Sequence, residues 1–184
     1  MKRRLSADKT REKYRVHPQD FTRQRVLSFS RVAILILRGH KLSLQNALNR
    51  VFTALGKVFA VPTDSAYCQA RQKLRPELFI DLNQVACQDF YRLYGADNEV
   101  LTWRGRRVLG YDGSYINLPN TAELREKHSL QRNQHGSECV QALSGVLYDV
   151  RNDIGLAAAL GTIQAEKNFL FNDLWSPESL SPCQ

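Results

Sequence analysis

The sequence predicts an α+β chain, an N-terminal helical bundle followed by a sheet-containing domain. Up to about residue 97, apolar residues recur at helical spacing. After Asp97-Asn98 they fall into short runs bounded by Gly, Asn and Asp. The 184 residues are 43% apolar and 24% charged, an ordinary folded composition that excludes disorder, collagen and a disulfide scaffold. At roughly 150 residues per domain, the length holds one good core and a small second domain, and excludes two large ones.

Residues 1–20 are charged and unpatterned, which predicts a basic flexible arm. From Phe21 to Leu37 the spacing predicts a helix, apolar all round in its second half and so buried, with Gly39 as its C-cap. Ser43 suits an N-cap, and Leu44, Ala47, Leu48, Val51, Phe52 and Leu55 follow as the apolar stripe of an amphipathic helix. Pro62-Thr63-Asp64-Ser65 breaks the chain and caps a short helix with Tyr67, Ala70 and Leu74 inward. Its other positions include Gln69, Arg71, Gln72 and Lys73. Pro76 opens a further helix with Leu78, Phe79, Leu82, Val85, Ala86, Phe90 and Leu93 inward and Gly95 beyond its end.

The runs Val100–Trp103, Val108–Tyr111, Tyr115–Leu118, Cys139–Val150 and Ile154–Leu160 read as strands. Asn152-Asp153 is a turn joining the last two into an antiparallel meander. Thr162 to Trp175, with Leu170, Phe171, Leu174 and Trp175 on one side, predicts a helix that begins to cover the sheet. The organisation expected is thus an arm over 1–20, a helical domain of DNA-binding type over 21–97, a second domain starting over 98–175 and an unstructured tail over 176–184.

Charge is uneven along the chain. Residues 1–50 hold 13 Lys+Arg and 3 Asp+Glu, an excess of +10, whereas the remaining 134 hold 13 and 15, or −2. A basic head on a near-neutral body attracts polyanions, nucleic acid first, because phosphates paired with Lys and Arg release condensed counterions. A solubilising tail would look the same. Cys68, Cys87, Cys139 and Cys183 have no CxxC spacing, which predicts reduced thiols in a cytosolic protein. The basic start lacks the apolar stretch of a signal peptide, and the longest apolar run, Val32–Leu37, is far short of the ~20 residues that span a bilayer. No membrane segment is expected.

Asp112, in RVLGYDGSYINL, is a carboxylate at the end of an apolar strand, where a metal-dependent phosphoryl-transfer site needs hard oxygen ligands. The same letters predict the tight turn of a hairpin between Val108 and Leu118. His135 and Cys139 at i, i+4, with His128 just before, allow a transition-metal site, against which stands the loss of that geometry if Cys139 opens a strand. Asp149, Asp153 and Glu166 fall at a strand turn and on a helix, where solvated or capping roles are expected. No Ser/His/Asp order, phosphate-binding glycine loop or dinucleotide fingerprint is present. Residues 43–59 and 63–74 allow a helix-turn-helix with Gln69, Arg71, Gln72 and Lys73 facing DNA, or an ordinary bundle with a solvated face.

PTDSAYCQARQKLRPELF, GYDGSYINLPNTAELREKH and NQHGSECVQALSGVLYDVRNDIGLAAALG, in that order, resemble the N-terminal half of bacterial insertion-sequence transposases of the insertion sequence 4 family, over about Phe21 to Trp175. The resemblance implies an all-helical region followed by a ribonuclease-H-like α/β catalytic domain, in which an Asp, an Asp and a Glu hold two divalent metals, Mg²⁺ here. Asp112-Gly113-Ser114 matches the context of the first acid, so the resemblance assigns Asp112 as a catalytic metal ligand. The D-R-x-Y segment of the second acid and the Y-x2-R-x3-E-x6-K pattern of the third do not occur in this sequence.

The resemblance therefore implies a truncated, catalytically incomplete transposase of the bacterial cytoplasm, its ribonuclease-H-like domain unfinished. Its partners would be DNA, at transposon ends and targets, and itself or a full-length transposase. The competing expectation is a non-catalytic DNA-binding module that occupies transposon ends or inhibits the full-length enzyme. In either case Mg²⁺ binding should be weak.

Overall fold

The computed structural model describes residues 5, 7–23, 25–39, 43–128, 130–132, 136 and 138–162. The chain mixes helices with one antiparallel sheet and divides into two compact units, Met1–Phe79 and Ile80–Gln184. The expected helix and tail after Thr162 lie outside the described residues, as do Glu166 and Cys183. Among the described residues no helix is long and apolar enough to cross a membrane.

The first unit contains α1 (Asp8–Tyr14), α2 (Phe29–Arg38), α3 (Leu44–Ala54), a 3₁₀ turn over Val58–Ala60, α4 (Asp64–Arg71) and the start of α5 (Glu77–Ala96). Residues expected to form a free arm are docked instead. The Val16 N–H donates to the Lys73 carbonyl at 3.0 Å, and the Arg75 N–H to the Tyr14 carbonyl at 2.9 Å. Leu5 is 2% exposed, and its carbonyl accepts from the Ser30 hydroxyl at 2.7 Å. Buried anchors spaced along a charged segment are enough to pin it, although they form no stripe.

α2 starts at Phe29, eight residues later than expected, because Phe21 has a φ of 56° and the Arg-rich segment after it has no apolar face to bury. Its second half is not buried all round, since Ile34 and Leu37 are exposed while Val32, Ala33 and Leu35 are core. Gly39 ends the helix at φ 58°, a left-handed value that disfavours a Cβ. α3 follows Ser43 as expected and buries Ala47, Leu48 and Phe52. α4 is capped twice: Thr63 Oγ1 accepts the Ala66 N–H at 3.2 Å, and Gln45 Oε1 from α3 accepts the Asp64 N–H at 2.9 Å.

In the second unit, α5 packs on a sheet made of β1 (Leu109–Leu118), β2 (Leu130–Arg132), β3 (Glu138–Asp149) and β4 (Ile154–Gly161); a short α6 (Ala122–Lys127) separates β1 from β2. β3 is central. β1 runs antiparallel along one side of it; β2 and β4 share the other, with a bulge at the β4 register opposite Leu147/Tyr148. The expected strand Val100–Trp103 is instead one arm of a tight turn bridged by Trp103 and Arg106. The two runs flanking Asp112-Gly113 are one continuous strand, so the hairpin expected there does not form.

α5 presents an unexpected face. Asn83 Nδ2 donates to the Leu156 carbonyl at 2.9 Å, Cys87 Sγ to the Gly155 carbonyl at 3.3 Å, and Tyr91 joins them one turn on. Ala86 and Leu93, expected inward, are exposed, and Gly95 lies inside the helix. An i, i+4, i+8 row of Asn, Cys and Tyr reads as polar in sequence and is recognisable only from the strand carbonyls it meets.

Candidate nucleic-acid interface and the Asp112 strand

All four residues of the expected DNA-facing set, Gln69, Arg71, Gln72 and Lys73, are exposed, but they do not share one surface. Ala66, Gln69, Ala70 and Lys73 recur at helical spacing and line a cleft of about 780 Å³, whereas Arg71 and Gln72 lie outside its lining. Nine residues, 55–63, separate α3 from α4, more than the 3–4 residue turn of a helix-turn-helix.

The opposite wall comes from the segment before α2. Arg23 and Arg25 stand on it beside Phe21, Val26 and Leu27, with Val61 and Pro62 completing an apolar lining. Neither arginine has a carboxylate partner among the described residues. Asp20, only 6% exposed, accepts the His17 N–H at 2.9 Å and lies 3.8 Å from Lys73 Nζ. Lys73 thus closes a structural ion pair as well as lining the cleft. The Tyr67 phenol behind Gln69 and Arg71 is pushed up by burial, opposed by the Arg71 charge. Arg23 and Arg25, which also line the cleft, were not singled out in the sequence because the spacing put them on a helix starting at Phe21; their only sequence signal is the basic excess of the first 50 residues.

Asp112 is exposed in the middle of β1, opposite Val146 of β3. The register puts Ser114 and Ile116 of β1 on the same face, together with Ser144, Val146 and Tyr148 of β3 and Ala158 and Leu160 of β4. Leu147 and Leu156 pack with Cys87 of α5 on the other. No group of three His, Cys, Asp or Glu side chains able to hold a metal exists among the described residues. One carboxylate among hydroxyl and aliphatic neighbours does not fit a resident Mg²⁺, which keeps its waters unless several charged oxygens replace them.

The other acids are elsewhere. Asp149, fully buried, accepts the Tyr91 hydroxyl at 2.6 Å and both the backbone and side-chain N–H of Asn152, at 3.2 and 2.9 Å. It caps the β3–β4 turn from inside the fold and is not solvated. Asp153 accepts the Tyr148 hydroxyl. For the transition-metal reading, Cys139 sits within β3, where i, i+4 residues do not converge, and His135 lies outside the described residues. Comparison with known protein families, curated proteins and solved structures finds no match to this chain.

Proposed function

We infer that this chain binds DNA through its first unit, as part of the machinery that moves a bacterial insertion sequence of the insertion sequence 4 type. The observation that carries this reading is the cationic rim of Arg23, Arg25 and Lys73 around one cleft, with Gln69 among them; the two arginines belong to the first 50 residues, whose charge excess is +10. Guanidinium groups with no carboxylate partner among the described residues suit phosphate oxygens, and an amide side chain suits a base edge.

The position of Asp112 supports the wider transposase reading. It stands on the first strand of an antiparallel meander, on the face opposite α5, as the first acid of a ribonuclease-H-like domain would. The two further acids of such a site are not in this sequence, so the activity proposed for this 184-residue chain is binding rather than strand cleavage. Its partners are then transposon-end and target DNA, and a transposase carrying a complete acid set, with which it competes for those ends.

Fluorescence anisotropy with short duplexes tests the reading. Expected is binding that weakens steeply with salt, is impaired in Arg23→Ala and Arg25→Ala, and loses sequence preference in Gln69→Ala. Affinity indifferent to salt and to all three substitutions would overturn it.

A further inference from the structure

We propose that the turn at Trp103–Arg106 is a second and separate nucleic-acid contact, a stacking platform for an unpaired base of single-stranded DNA. The Trp103 N–H donates to the Arg106 carbonyl at 2.8 Å, and the Arg106 N–H returns to the Trp103 carbonyl at 3.0 Å. Arg104 and Gly105 between them both have positive φ, 51° and 76°, the pattern of a type I′ turn. A non-glycine residue held at positive φ is uncommon, and such outliers gather where a loop has a task.

The turn displays an indole that the fold does not use. Trp103 is 54% exposed, and the Arg104 guanidinium stacks on its ring at 4.7 Å. Arg107 is turned inward, over the Tyr91 ring at 4.8 Å, and anchors the strand that follows. The platform is braced from a second side. Asn152 binds both the N–H and the carbonyl of Leu101, at 2.8 and 3.1 Å, and is itself held by Asp149. This brings the β3–β4 turn, with exposed Arg151, next to the exposed Leu101.

Residues 101–107 carry three arginines and no carboxylate, in a part of the sequence whose overall balance is −2. A stiff aromatic surface with arginines beside it suits a strand that offers bases and phosphates together. Duplex bases are already stacked and do not offer their faces, so the fit is to an unpaired strand. The site shares no residue with the cleft of the first unit and does not rest on Arg23 or Gln69.

The test uses the full chain. Trp175→Phe leaves Trp103 as the only tryptophan, and its fluorescence is titrated with oligothymidylate. Expected are saturable quenching and, by anisotropy of a dye-labelled oligothymidylate, affinity about tenfold lower in Trp103→Ala and largely retained in Trp103→Phe, with a salt slope smaller by about 0.7 per arginine in Arg104→Ala and Arg106→Ala. Arg23→Ala, which weakens duplex binding, should leave the quenching intact. Binding without quenching, equal affinity of Trp103→Ala and the parent, or displacement by polyglutamate at equal charge would overturn the proposal; tighter binding of oligouridylate would overturn the assignment to DNA.

Discussion

Asp112 and Asp149 project from opposite faces of the same sheet. Asp112 pairs with Val146, and Asp149 lies three residues further along β3, an odd step that reverses the face in a pleated strand. Their surroundings agree: one carboxylate is exposed and the other is bonded beneath α5. The two acids that stand closest to a shared strand pair therefore cannot share a metal.

Strand cleavage is expected to be undetectable with this chain and Mg²⁺ on any duplex it binds. Nicking that requires Mg²⁺ and vanishes in Asp112→Ala would mean that ligands outside the described residues complete the site.

Tyr91 should make stability fall at alkaline pH. Burial first, and then its hydrogen bond to Asp149, push the phenol up to about 12, against the opposing Arg107. The raised value stabilises the neutral form, so this contribution is whole below the ordinary value of 10.0 and is lost as pH rises through about 12. Urea denaturation across that window should show the decline in the parent and a flatter curve in Tyr91→Phe, which costs about 1–3 kcal/mol at neutral pH by leaving Asp149 one donor short.

Lys73→Ala should report two roles separately. Among the described residues Asp20 keeps only the His17 N–H when the ammonium goes, and because Lys73 is about half exposed and screened, the loss of stability should be about 1 kcal/mol. If Lys73 also meets phosphate, the same variant lowers the salt slope of duplex binding by about 1. An unchanged slope with the same destabilisation would restrict Lys73 to the ion pair.

Gly110→Ala should destabilise the sheet. A Cβ there would meet Val150 Cγ2 at 2.9 Å, so a neighbour must shift. Val150 is about half exposed and can swing aside, which holds the expected cost to about 1 kcal/mol. Adding Val150→Ala should recover most of it, and a double-mutant cycle by thermal unfolding reads the coupling.

Much of the fold was legible where the determining interactions are close in sequence. The stripe from Leu44 to Phe52, the recapping at Thr63 and the Asn152-Asp153 turn all appear where expected, because caps, turns and helical faces are set within a few residues. The cleft was half legible. Of the four residues singled out in the sequence, Gln69 and Lys73 line it, whereas Arg23 and Arg25 reach the same cleft only because the segment before α2 folds against α4.

By itself the sequence determined the α+β order, the basic head and the positions of most helix starts and strand runs. Tertiary structure alone decided three things: that residues 8–20 dock, that Asp112-Gly113 stays within one strand, and that Asn83, Cys87 and Tyr91 form the sheet-facing side of α5. In each case the partner lies far along the chain, up to 73 residues for Asn83 and Leu156. A donor that meets its carbonyl at that separation leaves no local period to read, and its burial is favourable only once both elements are in place.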